Sequence, residues 1–131
     1  MLEKLYQTYK DRVAFLLVYI REAHPDSILF VPTESGGKKL QVIGQTETAA
    51  ERLKNLDQCV SLLNMTMPAL IDSEDNVVNR AYAAWPDRLY AIGADGKIAF
   101  KSAPGPFGFK TADLAAWLQA NVPPSDVNKP R

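Results

Sequence analysis

The sequence predicts an α/β fold in which helices cover a sheet of mostly buried strands. Three observations lead to this prediction: leucine-rich segments with helical spacing, short apolar runs without alternation between them, and a Gly-Ala-Asp-Gly turn at residues 93–96 between two strand-like runs. Helices that alternate with apolar strands are typical of sheets covered on both faces. The late hairpin adds an antiparallel strand.

The N-terminal part is expected to contain a short helix, one strand and an insertion. Leucine and tyrosine at helical spacing predict a helix over about the first ten residues, and the apolar run Val13–Ile20 predicts a buried strand. Arg21–Gln45 is expected to be irregular because it contains two prolines and Gly36-Gly37. Within it, Ile28–Val31 and Leu40–Ile43 are strand-like.

A second helix is predicted to begin at Thr46 or Thr48 and to end near Leu63. Thr48 and Glu51 have the spacing of a capping box, in which each side chain accepts a hydrogen bond from the other residue's backbone N–H. The buried face of this helix is expected to consist of Leu53, Leu56, Val60 and Leu63.

The C-terminal half is expected to add three strands and a third helix. The strands are predicted at Met67–Asp72, Arg88–Ile92 and Lys97–Lys101, and the helix at Ser73–Ala84.

A fourth helix is expected to begin with Thr111 as its cap, after the Pro/Gly loop at residues 103–109. It is expected to pack through Leu114, Trp117 and Leu118. Residues 122–131 are proline-rich and are expected to form a frayed tail, so that the domain spans residues 1–121.

The composition excludes several classes of function. Lys plus Arg and Asp plus Glu number 15 each, so no positive charge is left over to neutralise nucleic-acid phosphates. One cysteine and one histidine exclude an internal disulfide and a zinc cluster, and no metal or other cofactor is expected. No apolar run approaches the roughly 20 residues needed to cross a bilayer. We therefore expect no membrane association and a cytoplasmic location, although an incomplete N-terminus would also lack any export signal.

Polar side chains follow the strand predicted at Val13–Ile20. Glu22, His24 and Asp26 come directly after it, where open α/β sheets place their ligands. A histidine between carboxylates can act as a general base or donate a hydrogen bond near neutral pH. The alternative is a solvated turn in which His24-Pro25 simply ends the strand.

Side chains near the strand that follows Trp-Pro-Asp are candidates for ligand binding. Arg88 could bind an anion, or could pair with Asp87 or Asp72 instead. Trp85 and Tyr90 could line a pocket for an aromatic small molecule, or could belong to the core.

Three segments resemble, in order along the chain, the iodothyronine deiodinase family and its bacterial thioredoxin-like, peroxiredoxin-related relatives. They are the strand followed by Glu-Ala-His-Pro, the run MPALID with AYAAWPDRLY, and Gly-Pro-Phe-Gly-Phe before the last helix. The resemblance extends to about Asn121. It implies a thioredoxin-like fold, whose second half is a hairpin covered by a C-terminal helix.

The resemblance also implies roles for individual residues. Glu22 and His24 match the Glu-Ala-His of the active-site rim, and Arg88 matches the Arg of Arg-Leu-Tyr, residues that hold the substrate and assist protonation in the vertebrate enzymes. These residues and Trp85 are therefore expected to converge in one pocket.

This chain departs from the family pattern at three places. The family continues after His-Pro with Gly-Trp, where this chain has Asp26-Ser27. The family has a second histidine at a position near Thr46, where this chain has no histidine. The family nucleophile, selenocysteine or cysteine in Gly-Ser-x-x-Cys-Pro-Pro-Phe, precedes the helix with which this chain starts, so the fold is expected to lack its N-terminal strands. Without that nucleophile, reduction has no attacking atom. Cys59 lies on a different helix, is expected to be a buried thiol, and could serve at most as a resolving thiol.

Three functions stay open. The chain could be a piece of a thiol oxidoreductase that reduces a peroxide, a disulfide or a halogenated aromatic; a small-molecule-binding module that kept the rim and lost the chemistry; or an assembly protein. Loss of a central strand would leave backbone groups unpaired, so a homodimer or strand exchange through the insertion is expected. The alternative is that the insertion or Val13–Ile20 closes the gap within one chain.

Overall fold

A computed structural model describes residues 1–24 and 26–125, and it confirms the mixed α/β class. The helices in these residues are α1 (Leu2–Tyr9), α2 (Ala49–Leu62), α3 (Val77–Tyr82) and α4 (Thr111–Asn121). The strands are β1 (Leu17–Tyr19), β2 (Ser27–Pro32), β3 (Lys38–Ile43), β4 (Ala69–Ile71), β5 (Tyr90–Ile92) and β6 (Ile98–Lys101). None of the described helices has the length and apolar character that crossing a bilayer requires.

The strands pair in three two-stranded sheets. β1 and β4 are parallel, with Leu17 opposite Ala69 and Tyr19 opposite Ile71. β2 pairs with β3, and β5 pairs with β6, each as an antiparallel hairpin. A parallel pair needs a long crossover connection, and here the chain between β1 and β4 contains β2, β3 and α2.

The chain divides into two compact units. One unit comprises Leu17–Trp85, and the other joins Met1–Leu16 to Pro86–Arg131. In the second of these, α4 packs as predicted: Leu114 and Leu118 form a buried cluster with Leu89. Partly buried residues from α1, β6, α4 and the neighbouring loops surround this cluster: Leu2, Leu5, Tyr9, Val13, Phe15, Phe100, Phe109, Trp117 and Val122.

The strand predicted at Val13–Ile20 is correct only in its C-terminal part. Val13 and Phe15 instead pack on the leucine cluster, and the Phe15 ring meets Tyr6 of α1 edge-on at 5.7 Å. The apolar run therefore contributes residues to both units. Its hydrophobicity alone does not show which residues belong to which unit. The other predicted strands are likewise shorter than expected, β4 by three residues, β5 by two and β6 by one.

The stretch Arg21–Gln45, predicted to be irregular, contains the regular β2–β3 hairpin. Its turn is closed by two hydrogen bonds, from the Thr33 N–H to the Gly37 carbonyl at 2.8 Å and from the Gly37 N–H to Thr33 Oγ1 at 3.0 Å. Gly36 has a φ of 81°, which favours glycine. The prediction of an irregular stretch is therefore wrong, whereas the two strand-like runs recognised within it are confirmed as β2 and β3. Among the described strands, β2 pairs with β3 rather than with β1, so the insertion does not extend the β1–β4 sheet.

Helix α2 begins as predicted but buries a different face. The capping box of Thr48 and Glu51 is present. Leu53 and Leu63, expected to be buried, are 49% and 61% exposed, while Arg52 and Leu56 are 3% exposed each. The face is turned because the Arg52 guanidinium bonds backbone carbonyls beyond β4, which orients the helix more strongly than Leu53 does.

Two other helix starts were predicted wrongly. α3 begins at Val77 rather than Ser73, because the chain before it turns through Asn76, which has a left-handed φ of 57°. The cap of α4 is Lys110; Thr111 is already helical, and its hydroxyl lies 2.7 Å from Met1 Sδ. The predicted tail comprises residues 122–131, of which residues 126–131 lie outside the described residues. In its described part, the Pro123 carbonyl accepts a hydrogen bond from Arg12.

Candidate functional site

A buried carboxylate follows the C-terminal end of β1. Glu22 is 8% exposed, and four neighbouring residues donate hydrogen bonds to it. The Tyr19 hydroxyl and Asn55 Nδ2 donate to Oε1, each at 3.1 Å. Oε2 accepts from Gln45 Nε2 at 3.1 Å and from the Thr46 N–H at 3.0 Å, and the Thr46 hydroxyl lies 3.0–3.1 Å from both oxygens. We call these five residues the Glu22 network.

The protonation states in the Glu22 network follow from its hydrogen bonds. Burial alone would raise the pKa of Glu22, but donors that include the Thr46 N–H and the Asn55 amide outweigh it and lower the pKa. Burial first, and then the Glu22 charge, raise the pKa of Tyr19 well above its usual range. At neutral pH, Glu22 is therefore an anion and Tyr19 a neutral donor.

A buried arginine connects the Glu22 network to the end of β4. Arg52 Nε donates to Thr46 Oγ1 at 3.3 Å. Its Nη1 donates to the carbonyls of Asp72 at 3.1 Å and Ser73 at 2.8 Å. Arg52 therefore holds the segment that follows β4 against the segment that leads into α2.

Asp72, 1% exposed, fixes the start of α3. Its Oδ1 accepts from the backbone N–H groups of Ser73 at 2.8 Å and Val78 at 2.9 Å, and its Oδ2 from the Asn79 N–H at 2.8 Å. Burial would raise the pKa of Asp72, but these three bonds and the Arg52 charge lower it. Its carboxylate thus stabilises the start of α3.

The expected group of Glu22, His24 and Asp26 is divided by burial. Glu22 lies inside its network, whereas His24 and Asp26 are exposed. The Asp26 N–H donates to the Ile43 carbonyl at 2.7 Å, which ties this residue to the base of the hairpin. Pro25 lies outside the described residues.

The candidate ligand-binding side chains are distributed over both units. In Leu17–Trp85, Trp85 is 45% exposed, and the Arg21 guanidinium lies 5.5 Å from the centroid of its ring. In the other unit, Arg88 is partly buried, and its Nε has no hydrogen-bond partner among the described residues. Tyr90 is partly buried there, with Lys101 Nζ 5.9 Å from its ring. Convergence of the rim residues in one pocket stays a prediction.

A groove of about 540 Å³ lies between β2 and α2. Val31, Pro32 and Leu62 form its apolar part. Gln58 contributes a buried Oε1 that has no partner among the described residues. The lining residues do not include any member of the Glu22 network, so this groove and the network are separate features of the unit.

Cys59 lies on α2, one helical turn after Asn55. The thiol is half-buried, and burial raises its pKa. It is a neutral thiol at pH 7 and a weak nucleophile. Within residues 1–24 and 26–125, no group of three or more His, Cys, Asp or Glu side chains is placed to hold a metal ion.

Comparison with known proteins identifies the family. A family model described as iodothyronine deiodinase matches residues 1–122. The chain belongs to the iodothyronine deiodinase family.

Individual deiodinases align over most of this chain. The type I iodothyronine deiodinase of Xenopus laevis is 30% identical over 116 residues, which cover 88% of this chain and 43% of that protein. The thyroxine 5-deiodinase of Gallus gallus is 32% identical over 117 residues, covering 88% and 42%. That of Aquarana catesbeiana is 34% identical over 116 residues, covering 82% and 38%. The chain thus spans about two-fifths of the length of these deiodinases.

Most of the Glu22 network in this deiodinase-family chain was not predicted as a site. Thr46 was considered as a helix start, and Tyr19, Gln45 and Asn55 were not singled out. One signal was available: Arg52, Asn55 and Cys59 share a helix face with Leu56, a polar set on a face that should otherwise be apolar.

Proposed function

We propose that this chain forms the ligand-holding rim of a deiodinase-family reductive site and has no thiol-dependent turnover as its 131 residues stand. The observation that carries the proposal is the buried, fully bonded Glu22 at the C-terminal end of β1. Open α/β sheets bind ligands at that end of their strands, and the family match supports a reductive ancestry.

The rim residues have different roles in this proposal. Glu22 is ionised and holds the Tyr19 hydroxyl and the Thr46 backbone in place, so it positions the rim and does not deliver protons. Proton transfer belongs to His24, whose imidazole is exposed and can accept or donate a proton. Arg88 binds an anionic group of the ligand through a guanidinium whose Nε is otherwise unpaired among the described residues.

The absence of turnover follows from the thiol chemistry. Reduction by this family's chemistry requires a thiolate or selenolate to attack the substrate, and Cys59 is neutral at pH 7 because burial raises its pKa. No described residue offers a second thiol to resolve an intermediate, since the sequence contains one cysteine.

Activity is tested with dithiothreitol as the reductant and thyroxine, hydrogen peroxide or a model disulfide as the substrate. Thyroxine is chosen because the relatives' names include it. We expect iodide release and peroxide or disulfide consumption equal to those in buffer, for the full chain and for Cys59→Ser. Turnover that Cys59→Ser abolishes would overturn this half of the proposal.

Binding is tested separately, by thyroxine-induced changes in tryptophan fluorescence. We expect saturable binding that Arg88→Ala weakens about tenfold or more, as loss of a charged partner predicts, and that Lys110→Ala leaves unchanged. No saturable binding would refute the rim while the statement on turnover stands. An in-frame Cys-Pro-Pro-Phe coding stretch upstream of Met1 would make the chain a piece of a catalytic reductase, and its absence would favour a binding module.

A further inference from the structure

An exposed arginine and a half-exposed tryptophan meet in the Leu17–Trp85 unit. The central guanidinium carbon of Arg21 lies 5.5 Å from the centroid of the Trp85 ring, which is within the range of a cation–π interaction. Arg21 is exposed and Trp85 is 45% exposed, so a dissolved small molecule can reach both residues. We call these two residues the Arg21–Trp85 pair.

The backbone on either side of Arg21 is fixed. Tyr19 is paired with Ile71 in the β1–β4 sheet, and its carbonyl accepts a hydrogen bond from the Asp72 N–H at 2.8 Å. Glu22 follows Arg21 directly and is buried in the Glu22 network. Arg21 therefore extends from a defined position just beyond the C-terminal end of β1, where open α/β sheets bind ligands.

The tryptophan follows a helix end that is also fixed. At the C-terminal end of α3, the Ala83 N–H donates to the Arg80 carbonyl at 3.3 Å, and the Ala84 N–H donates to the Asn79 carbonyl at 3.0 Å. Trp85 is the next residue along the chain. Because both members of the pair come from anchored segments, part of the conformational entropy that ligand binding costs is already lost.

The N–H donors of the Arg21 guanidinium are available to an anion. Among the described residues, the contact with Trp85 is the one interaction that this guanidinium makes. Neither Glu22 nor Asp26 forms an ion pair with it in that part of the chain. A guanidinium in contact with an aromatic ring keeps its planar fork of five N–H donors, which matches the two oxygens of a carboxylate.

We propose that the Arg21–Trp85 pair binds a small arylalkanoate, a molecule that carries one carboxylate next to an aromatic ring. The carboxylate accepts two hydrogen bonds from Arg21, and the aromatic ring packs on the exposed part of Trp85. A singly charged anion suits the site better than a phosphate, because the ionised Glu22 next to Arg21 repels additional negative charge. The site goes beyond the function proposed above, since it requires neither Arg88 nor a thiol.

NMR spectroscopy of the isotope-labelled full chain in a Trp117→Phe background tests the proposal. The sequence contains two tryptophans, so the one remaining indole N–H resonance belongs to Trp85. Phenylacetate at pH 7 should move this resonance saturably, with a dissociation constant on the order of 1 mM. Phenylacetamide has the same ring without the charge and should bind at least about tenfold more weakly. Equal binding of the amide would reduce the site to an apolar contact and overturn the proposal.

Variants test whether the carboxylate binds to Arg21. Arg21→Gln should weaken phenylacetate binding at least about tenfold, and Arg21→Lys, which keeps the charge and loses the planar fork, should retain part of the affinity. Arg80→Gln is the matched control, because it removes the same charge from the same unit, where the Arg80 guanidinium already donates to the Asp75 carbonyl. It should bind phenylacetate like the unaltered chain. Circular dichroism verifies that each variant is folded.

Three further results would each overturn the proposal. They are the lack of a saturable shift up to about 10 mM phenylacetate, binding that Arg21→Gln leaves unchanged, and tighter binding of phenyl phosphate than of phenylacetate. The thyroxine test of the rim depends on Arg88 instead, so failure of either test leaves the other proposal standing.

Discussion

Replacing Glu22 by Gln is the sharpest test of the network at the end of β1. The substitution keeps the shape of the side chain and exchanges one acceptor oxygen for an NH₂ donor. Every neighbour that bonds the carboxylate does so as a donor: the Tyr19 hydroxyl, the amides of Gln45 and Asn55, and the Thr46 N–H. Whichever way the new amide turns, its NH₂ faces donors.

The magnitude follows from counting the donors that cannot adapt. With the amide nitrogen at the Oε2 position, the Thr46 backbone N–H loses its acceptor. With the nitrogen at the Oε1 position, the Tyr19 hydroxyl and the Asn55 amide must turn to accept from it and give up their present bonds. A buried donor left unpaired costs about 1–3 kcal/mol, and the lost charge weakens the remaining bonds. We expect the free energy of unfolding of the Leu17–Trp85 unit to fall by about 3 kcal/mol at pH 7, a large part of a typical domain's 5–15 kcal/mol.

The pH dependence gives a second signature. The pKa of Glu22 is lowered from 4.5 by folding, so its contribution is complete above that pH and is lost as the pH falls through the lower folded-state value. The difference between Glu22→Gln and the unaltered chain should therefore be largest at neutral pH and shrink in acid. Glu34→Gln, with the same charge change at the exposed hairpin turn, should have little effect at either pH.

Urea unfolding in a Trp117→Phe background measures this change, since Trp85 then reports alone on its own unit. The midpoint should move by roughly 1–3 M. A shift equal to that of Glu34→Gln, or a difference that stays constant from neutral to acidic pH, would refute the account of the Glu22 network.

Three further outcomes are expected. Arg52→Met should lower the free energy of unfolding by about 2–4 kcal/mol in urea titrations, because the carbonyls of Asp72 and Ser73 lose their donor, and Arg52→Lys should retain part of this stabilisation. Asp72→Asn should lower the free energy of unfolding by about 2 kcal/mol at pH 7 and by less in acid, because the folded-state pKa of Asp72 is lowered and its contribution is lost as the pH falls through that value. Asp75→Asn is the control and should leave the free energy of unfolding unchanged. Equal losses for Asp72→Asn at both pH values would contradict this prediction. The rate at which iodoacetamide alkylates Cys59, followed by mass spectrometry, should reach half of its maximum at a higher pH than is typical of a free cysteine. Fast labelling at pH 7 would contradict the burial of the thiol.

Local signals predicted the elements whose causes are local. The capping box of Thr48 and Glu51, the leucines of α4 and the hairpin around residues 93–96 depend on residues a few positions apart, and the structure confirms them. The thioredoxin-like arrangement of strands stays a prediction, since it depends on contacts that sequence spacing does not contain.

The failures share a different cause, which is a polar group bonded to a distant part of the chain. Arg52 turns α2 because its partners lie 20 and 21 positions away. Asp72 delays the start of α3 by taking N–H groups that a helix from Ser73 would have used. The donors to Glu22 lie 3 to 33 positions away along the chain. The sequence could therefore indicate only that Glu22 follows β1 and lies near His24, and could not indicate which residues bond to it.

The division of the chain into two units has a consequence for the order in which the protein is made. The Leu17–Trp85 unit is continuous, so all of it has been synthesised before Pro86 is added. Helix α1 emerges earlier still, yet the residues it packs on, Leu89, Leu114 and Leu118, are translated last. At a synthesis rate of about 5–20 residues per second, its apolar face waits several seconds for a partner. During that interval α1 is the segment that a chaperone would hold.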